Sequence, residues 1–76
     1  MEVFVRTLTG KAFVIMVRPG DTVESVKRVV ETVEGIPWDQ QVLVCARCRL
    51  EDHRTLAQHG VQQHATLHLM LRPRGD

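Results

Sequence analysis

The sequence predicts an α+β fold whose strands and helix follow the order ββαββ. Apolar residues recur at every second position through residues 1–6 and 13–17, which is typical of two strands that each bury one face. Valines recur at helical spacing between residues 23 and 33, and leucines alternate with other residues through 66–72. These patterns predict a hairpin, a helix and a second group of strands, with the final strand free to join the first.

Turn and cap residues mark where the first elements begin and end. Residues 7–10, "TLTG", supply the turn of the hairpin, and "RPGD" separates the second strand from the helix. Asp21 or Thr22 is expected to cap that helix, and Gly35 with Pro37 is expected to end it. The apolar positions of the helix are Val23, Val26, Val30 and Val33. We interpret this stripe as the part of the helix that packs in the core.

Beyond the helix, the pattern predicts a strand over residues 40–45 and a final strand over residues 66–72. A turn at Ala46 and Arg47 leads into a short additional strand near residues 48–50. No repeat or low-complexity segment interrupts residues 1–72. We therefore predict one domain over residues 1–72 and a flexible tail over residues 73–76.

Length and composition exclude several classes of protein. The chain of 76 residues is 43% hydrophobic and 25% charged, as expected of one small globular domain. No apolar run approaches the ~18 residues that span a bilayer, and a net charge of +1 provides no field for nucleic acid. The N-terminal residues lack a basic and then apolar signal segment. We expect a cytoplasmic or nuclear protein that binds neither membrane nor nucleic acid.

The pair Cys45 and Cys48, written "CARC", has the spacing of half a zinc site or of a redox motif. A zinc site needs two further ligands, and the redox motif usually opens a helix, which is not predicted at this position. We therefore predict no metal site and no cofactor, and two reduced thiols. No nucleophile, base and orienting group can be recognised together, so the chain is not expected to be an enzyme.

Five stretches carry a resemblance to the ubiquitin family, in the family's order and without a gap over the chain. They are "MEVFVRTLTGK", "DTVESVK", "EGIPWDQQ", "RLEDHRTL" and "TLHLMLR". The resemblance implies a β-grasp fold, in which a mixed sheet wraps across one main helix. It also implies that Leu8, Val44, His68 and Met70 come together on the exposed face, in the patch that ubiquitin-binding domains contact.

Alternation along the third strand supports such a patch. Val42 and Val44 flank Leu43, so both are expected on the outward side of the sheet, with Met70. Methionine suits a binding surface because its flexible thioether adapts to different partners. The alternative is that the valines are only good strand formers and that single exposed apolar residues are common. Four arginines are expected to surround the patch and to favour acidic, amphipathic helices: Arg47, Arg49, Arg72 and Arg74.

Differences from the family pattern concern covalent attachment. Family members that are conjugated end in two glycines, whose terminal carboxylate is activated and joined to a lysine. The tail here reads Pro73, Arg74, Gly75 and Asp76. Proline fixes φ and removes a backbone donor, and only one glycine remains. We therefore expect a domain that is not conjugated.

The chain contains two lysines, Lys11 and Lys27, so it offers few amines for ubiquitin attachment. Lys27 and Asp52 match a pair that is largely sequestered in the family. Lys11 is therefore the possible ubiquitin acceptor.

A second apolar group is expected on the outward side of the hairpin, from Phe4, Ala12, Val14 and Met16, and Trp38 is a further partly exposed residue. These residues are predicted to rest against the remainder of a larger polypeptide, a partner or a second copy.

Three hypotheses for the function remain. The favoured one is an interaction domain that docks onto ubiquitin-binding domains or proteasome receptors through the patch. The alternative is a divergent covalent modifier attached to lysines of target proteins. The third is an enzyme or metal protein, and the only sequence features that support it are "CARC" and the histidines.

Overall fold

The computed structural model describes residues 1–72, and the predicted tail 73–76 lies outside the described residues. The elements are β1 (Glu2–Arg6), β2 (Ala12–Met16), α1 (Val23–Glu34), a 3₁₀ helix (Trp38–Gln40), β3 (Gln41–Cys45), β4 (Cys48–Arg49) and β5 (Thr66–Leu71). The order ββαββ is confirmed, and the short additional strand predicted near residues 48–50 is present as β4. The sequence pattern did not indicate the 3₁₀ helix.

The strands form one mixed sheet in the order β2-β1-β5-β3-β4. β1 pairs with β2 in antiparallel fashion and with β5 in parallel fashion, so the final strand does join the first. β3 pairs with both β5 and β4 in antiparallel fashion. The predicted α+β fold, a mixed sheet with one main helix, is therefore confirmed.

Caps bound α1 at both ends. The Thr22 hydroxyl accepts a hydrogen bond from the Ser25 backbone N–H at 3.2 Å, so Thr22 rather than Asp21 is the N-cap. Gly35 adopts the left-handed conformation at φ 77° and donates its N–H to the Glu31 carbonyl, which ends the helix. Three of the four predicted valines are buried, but Val33 is exposed because it lies in the last turn, at the rim of the packed face.

The core lies between α1 and one face of the sheet. Its buried residues are Val3, Val5, Ile15, Val17, Val23, Val26, Val30, Leu43, Leu50, Leu56, Val61, Leu67 and Leu69. Leu71 shares the face of Leu67 and Leu69 by alternation, yet it is exposed because it ends β5 at the border of this cluster. The opposite face of the sheet carries no helix among residues 1–72.

A buried glutamine ties α1 to the sheet. Gln41 is fully buried at the start of β3, and its Nε2 donates to the Lys27 carbonyl at 3.0 Å and to the Ile36 carbonyl at 2.9 Å. One amide group therefore connects the middle of α1, the segment after it and β3. A buried polar group of this kind stabilises the fold only while its partners remain in place.

The turn between β3 and β4 is strained. Ala46 and Arg47 adopt φ values of 52° and 68°, which are the left-handed values that a two-residue hairpin turn requires at both positions. Neither residue is glycine, so the Cβ atom of each makes this conformation costly by roughly 1–2 kcal/mol.

We predict that Gln41→Leu lowers the free energy of unfolding by about 2 kcal/mol, because it leaves two buried carbonyls without the amide that donates to them. Gln62→Leu is the matched control, since Gln62 is exposed. Guanidinium titration of both variants measures the difference. Equal stabilities of the two variants would show that the Gln41 amide does not hold α1 to β3.

We predict that Arg47→Gly raises the free energy of unfolding by about 0.5–1 kcal/mol, because glycine reaches positive φ without a steric cost. Arg49→Gly is the control, since Arg49 lies in β4 outside the turn and glycine weakens a strand. A stability gain in both variants, or in neither, would contradict strain at Arg47.

Candidate functional site

The outer face of the sheet, defined as the face turned away from α1, brings the predicted binding residues together. Arg6 of β1 lies opposite His68 of β5, His68 lies opposite Val44 of β3, and Val44 lies opposite Arg49 of β4. Directly opposed residues share a face, so these four side chains form one row across four strands. We call it the central row; it has a histidine and a valine in its middle and an arginine at each end.

Met70 lies next to the central row, two residues beyond His68 on β5, and its side chain is exposed. Its register partner on β3 is Val42, as the alternation predicts. However, Val42 is only 8% exposed and does not belong to the core cluster. Val42 therefore lies on the outer face as predicted but offers little surface of its own, and Met70 presents the exposed apolar surface. A role of Val42 in binding stays a prediction.

Leu8 projects from the turn after β1 and is 76% exposed, the largest exposure of any large apolar side chain among residues 1–72. It lines a shallow hollow with Ile36, Leu69 and Leu71, residues on the α1 side of the sheet. Leu8 therefore lies at the end of β5 but not on the outer face that carries Met70. Alternation does not indicate this hollow, because the hollow combines three separate segments of the chain.

The predicted arginines do not form a closed ring. Arg49 ends the central row, and Arg47 is exposed in the adjoining turn. Arg72 is half-buried; its backbone N–H donates to the Gln40 carbonyl at 2.7 Å, so it lies at the end of β3 remote from Arg47. Its side chain lines a hollow that Arg49 and Asp52 also line. Arg74 lies outside the described residues.

Arg6 is the residue of the central row that the sequence pattern did not indicate. Its position depends on the parallel register between β1 and β5, which joins segments about sixty residues apart along the chain. Local alternation places Arg6 on the outer face but cannot indicate which strand lies beside it.

The two lysines differ in access as predicted. The Lys27 side chain is 3% exposed and pairs with Asp52, whereas the Lys11 side chain is 59% exposed and forms an ion pair with Glu34 at 3.4 Å. Lys11 is therefore the accessible amine of the two, and its use as an acceptor stays a prediction.

Cys45 and Cys48 are both free thiols, and they lie directly opposite each other at the end of the β3–β4 hairpin. Burial, and to a smaller extent the neighbouring Cys48, raise the pKa of the Cys45 thiol above its ordinary value. The Cys45 thiol thus stays protonated at neutral pH, where the thiolate would be the nucleophile and the metal ligand. Within residues 1–72, no three His, Cys, Asp or Glu side chains cluster as a metal site would require.

No helix in the described part of the chain has the length and apolar character needed to cross a membrane.

Comparison with known proteins gives a consistent result. The model of the ubiquitin family matches residues 3–74. The chain is 41% identical over 75 residues to AN1-type zinc finger protein 4 of Mus musculus, and this alignment covers 99% of the chain but 10% of that protein. The chain is thus similar to one short part of a much longer polypeptide.

Other relatives are matched over nearly their whole length. Identity is 36% to ubiquitin-like protein NEDD8 of Dictyostelium discoideum, covering 99% of the chain and 97% of the relative. Identity is 37% to ubiquitin-like protein 1 of Schizosaccharomyces pombe, covering 99% and 96%. With the family model matched across almost the entire chain and the mixed sheet on one helix, this chain belongs to the ubiquitin family.

Proposed function

We propose that this ubiquitin-like domain is a protein-interaction domain that works without being conjugated, and that it docks onto ubiquitin-binding domains or proteasome receptors through its outer face. The observation that carries the proposal is the central row, Arg6, His68, Val44 and Arg49, with exposed Met70 beside it. Apolar side chains gathered on an uncovered face are typical of a docking site.

The charge around this surface favours an acidic, amphipathic helix as the partner element. Arg6 and Arg49 bound the central row, and Arg47 stands in the adjoining turn. Guanidinium groups at a rim pair with carboxylates and speed the encounter with an acidic partner. Each exposed pair contributes only ~0–1 kcal/mol, so the apolar centre at Val44 and Met70 supplies most of the affinity.

Non-covalent docking suits the tail sequence. Pro73 has no backbone N–H and a fixed φ, in the segment through which conjugated family members are attached. The domain within the much longer zinc finger relative offers a precedent for a ubiquitin-like segment of a larger polypeptide. The proposal includes no catalysis. It assigns a cytoplasmic or nuclear location, because two neighbouring thiols such as Cys45 and Cys48 stay reduced in those compartments.

The alternative function is a divergent covalent modifier joined to lysines of target proteins. The ubiquitin-like relatives that are matched over 96–97% of their own length favour it, because the similarity extends over nearly the whole of each of these relatives.

We predict that Val44→Ala combined with Met70→Ala weakens binding to an acidic ubiquitin-interacting helix by about 100-fold, because the two side chains form the apolar centre. The matched control is Val33→Ala with Met16→Ala, which removes the same atoms from two exposed positions away from the central row. Fluorescence anisotropy with a labelled helix, at low protein concentration, measures both. Equal losses in the two double variants would move the binding site away from the central row.

The same titration tests the arginine rim. Arg47→Gly should weaken helix binding by no more than about fivefold, and the loss should shrink as salt is raised. Because this variant is expected to be more stable, weaker binding cannot be attributed to unfolding. A loss that is independent of salt would contradict an electrostatic role for Arg47.

A third test separates docking from covalent modification. The natural protein is incubated with ubiquitin-activating and related enzymes, magnesium and ATP, and thioester formation is followed by a gel shift that reducing agent reverses. Docking without conjugation predicts no such band, with ubiquitin as the positive control. A reducible band would establish the modifier alternative.

A further inference from the structure

Strand β2 is an uncovered edge of the sheet. It stands first in the order β2-β1-β5-β3-β4, and among residues 1–72 its only strand partner is β1. Its sequence, AFVIM, contains no charged residue and no proline. Edge strands in soluble proteins are usually protected from pairing by charges, proline or a bulge, and the five register pairs of β1 with β2 run without a bulge.

The hydrogen bonds at either end of the hairpin show which backbone groups face this edge. Met1 and Val17 exchange hydrogen bonds at 2.7 and 2.8 Å, and the Thr7 N–H donates to the Lys11 carbonyl at 2.8 Å. Hydrogen-bonded pairs alternate along an antiparallel ladder, so Phe13 and Ile15 also bond toward β1. The N–H and C=O groups of Ala12, Val14 and Met16 therefore point away from β1, toward the open edge.

We infer that a second copy of this chain pairs with this edge, β2 against β2 in antiparallel orientation, about a two-fold axis at Val14. The three residues whose backbone groups face the open edge, Ala12, Val14 and Met16, are centred on Val14, so a two-fold axis at Val14 matches donors on each strand with acceptors on the other. Val14 exchanges two hydrogen bonds with Val14 of the second copy, and each Ala12 exchanges two with Met16 of the other copy. Six backbone groups on each strand are satisfied, and the two sheets become one.

The side chains fit the same register. Phe4 lies opposite Val14 on the outer face, so the axis builds a continuous apolar row of Phe4, Val14, and then Val14 and Phe4 of the second copy. Small Ala12 lies against large Met16 of the second copy. Arg6 is the register partner of Ala12, and Glu2 is the register partner of Met16. The row that contains this Ala12–Met16 contact therefore has Arg6 of one copy at one end and Glu2 of the other copy at the other end.

Charges near the axis also permit the pairing. In this register Lys11 falls opposite Val17 of the second copy and Arg18 falls opposite Gly10, so no like charges oppose each other. Such complementarity within one short strand favours a second copy over an unrelated strand. The contact is small, so we expect a weak dimer with a dissociation constant of about 0.1–1 mM.

The dimer leaves the proposed docking surface free. Val44 and Met70 lie on β3 and β5, on the far side of β1 from the paired edge. A two-fold axis of this kind stands perpendicular to the sheet, so both outer faces point the same way. A dimer would thus present two docking surfaces side by side to a partner with two acidic helices, with a gain from avidity. The inference itself does not depend on the proposed function.

Sedimentation equilibrium and amide exchange together test the inference. The mass should rise from 8.7 kDa toward twice that value as concentration rises from about 0.02 to 2 mM. Over the same range, exchange of the Ala12, Val14 and Met16 amides should slow, while Phe13 and Ile15, already bonded to β1, should change little. A monomer throughout overturns the inference, and so does a dimer that leaves these three amides unprotected.

Two variants locate the axis. Val14→Lys places two ammonium groups opposite each other and should weaken dimerisation at least about tenfold. Val33→Lys is the matched control, because Val33 is 48% exposed and Val14 is 49% exposed. Val14→Pro removes only an N–H that faces the open edge, so it should spare the β1 ladder and abolish the dimer. Dimerisation that tolerates Val14→Lys as well as it tolerates Val33→Lys would refute pairing at Val14.

Discussion

The parallel pairing of β1 with β5 is the contact on which the rest of the structure depends. It joins the N-terminal hairpin to the group formed by β5, β3 and β4, so without it the sheet would separate into two parts. Because the two strands come from opposite ends of the chain, α1 and the following segments must cross one face between them. That crossing gives the sheet one covered face and one uncovered face, and the central row proposed for binding lies on the uncovered one.

Apolar packing and polar contacts together hold the crossing in position. Thirteen buried apolar residues form the cluster between α1 and the sheet, and burial of such side chains supplies most of the stability. The orientation of β3 relative to α1 is set by Gln41, whose amide donates hydrogen bonds to the carbonyls of Lys27 and Ile36. Lys27 in turn pairs with Asp52 beside the β4 segment. These links set the position of β3 relative to α1, and hence the position of Val44 on the opposite face.

A strained backbone turn and exposed apolar side chains occur at residues that are proposed to contact another chain. Arg47 adopts a positive φ in the hairpin turn that adjoins the central row, although glycine would fit there at lower cost. The edge strand β2 likewise carries exposed Val14 and Met16 where charged residues would better protect a free edge. Both features reduce local stability or solubility, and both lie where the two proposals place contacts with another chain.

The sequence by itself determined the strands and α1, because alternation, valine spacing and the capping residues Thr22 and Gly35 act within a few residues of the chain. It also determined which residues alternate onto the outer face, and the family resemblance grouped Val44, His68 and Met70. Only the tertiary structure decided that Val42 is covered, that Leu71 is exposed and that Arg6 closes the central row. Those outcomes depend on which strands become neighbours and where the core ends, and pairing between distant segments leaves no local pattern in the sequence.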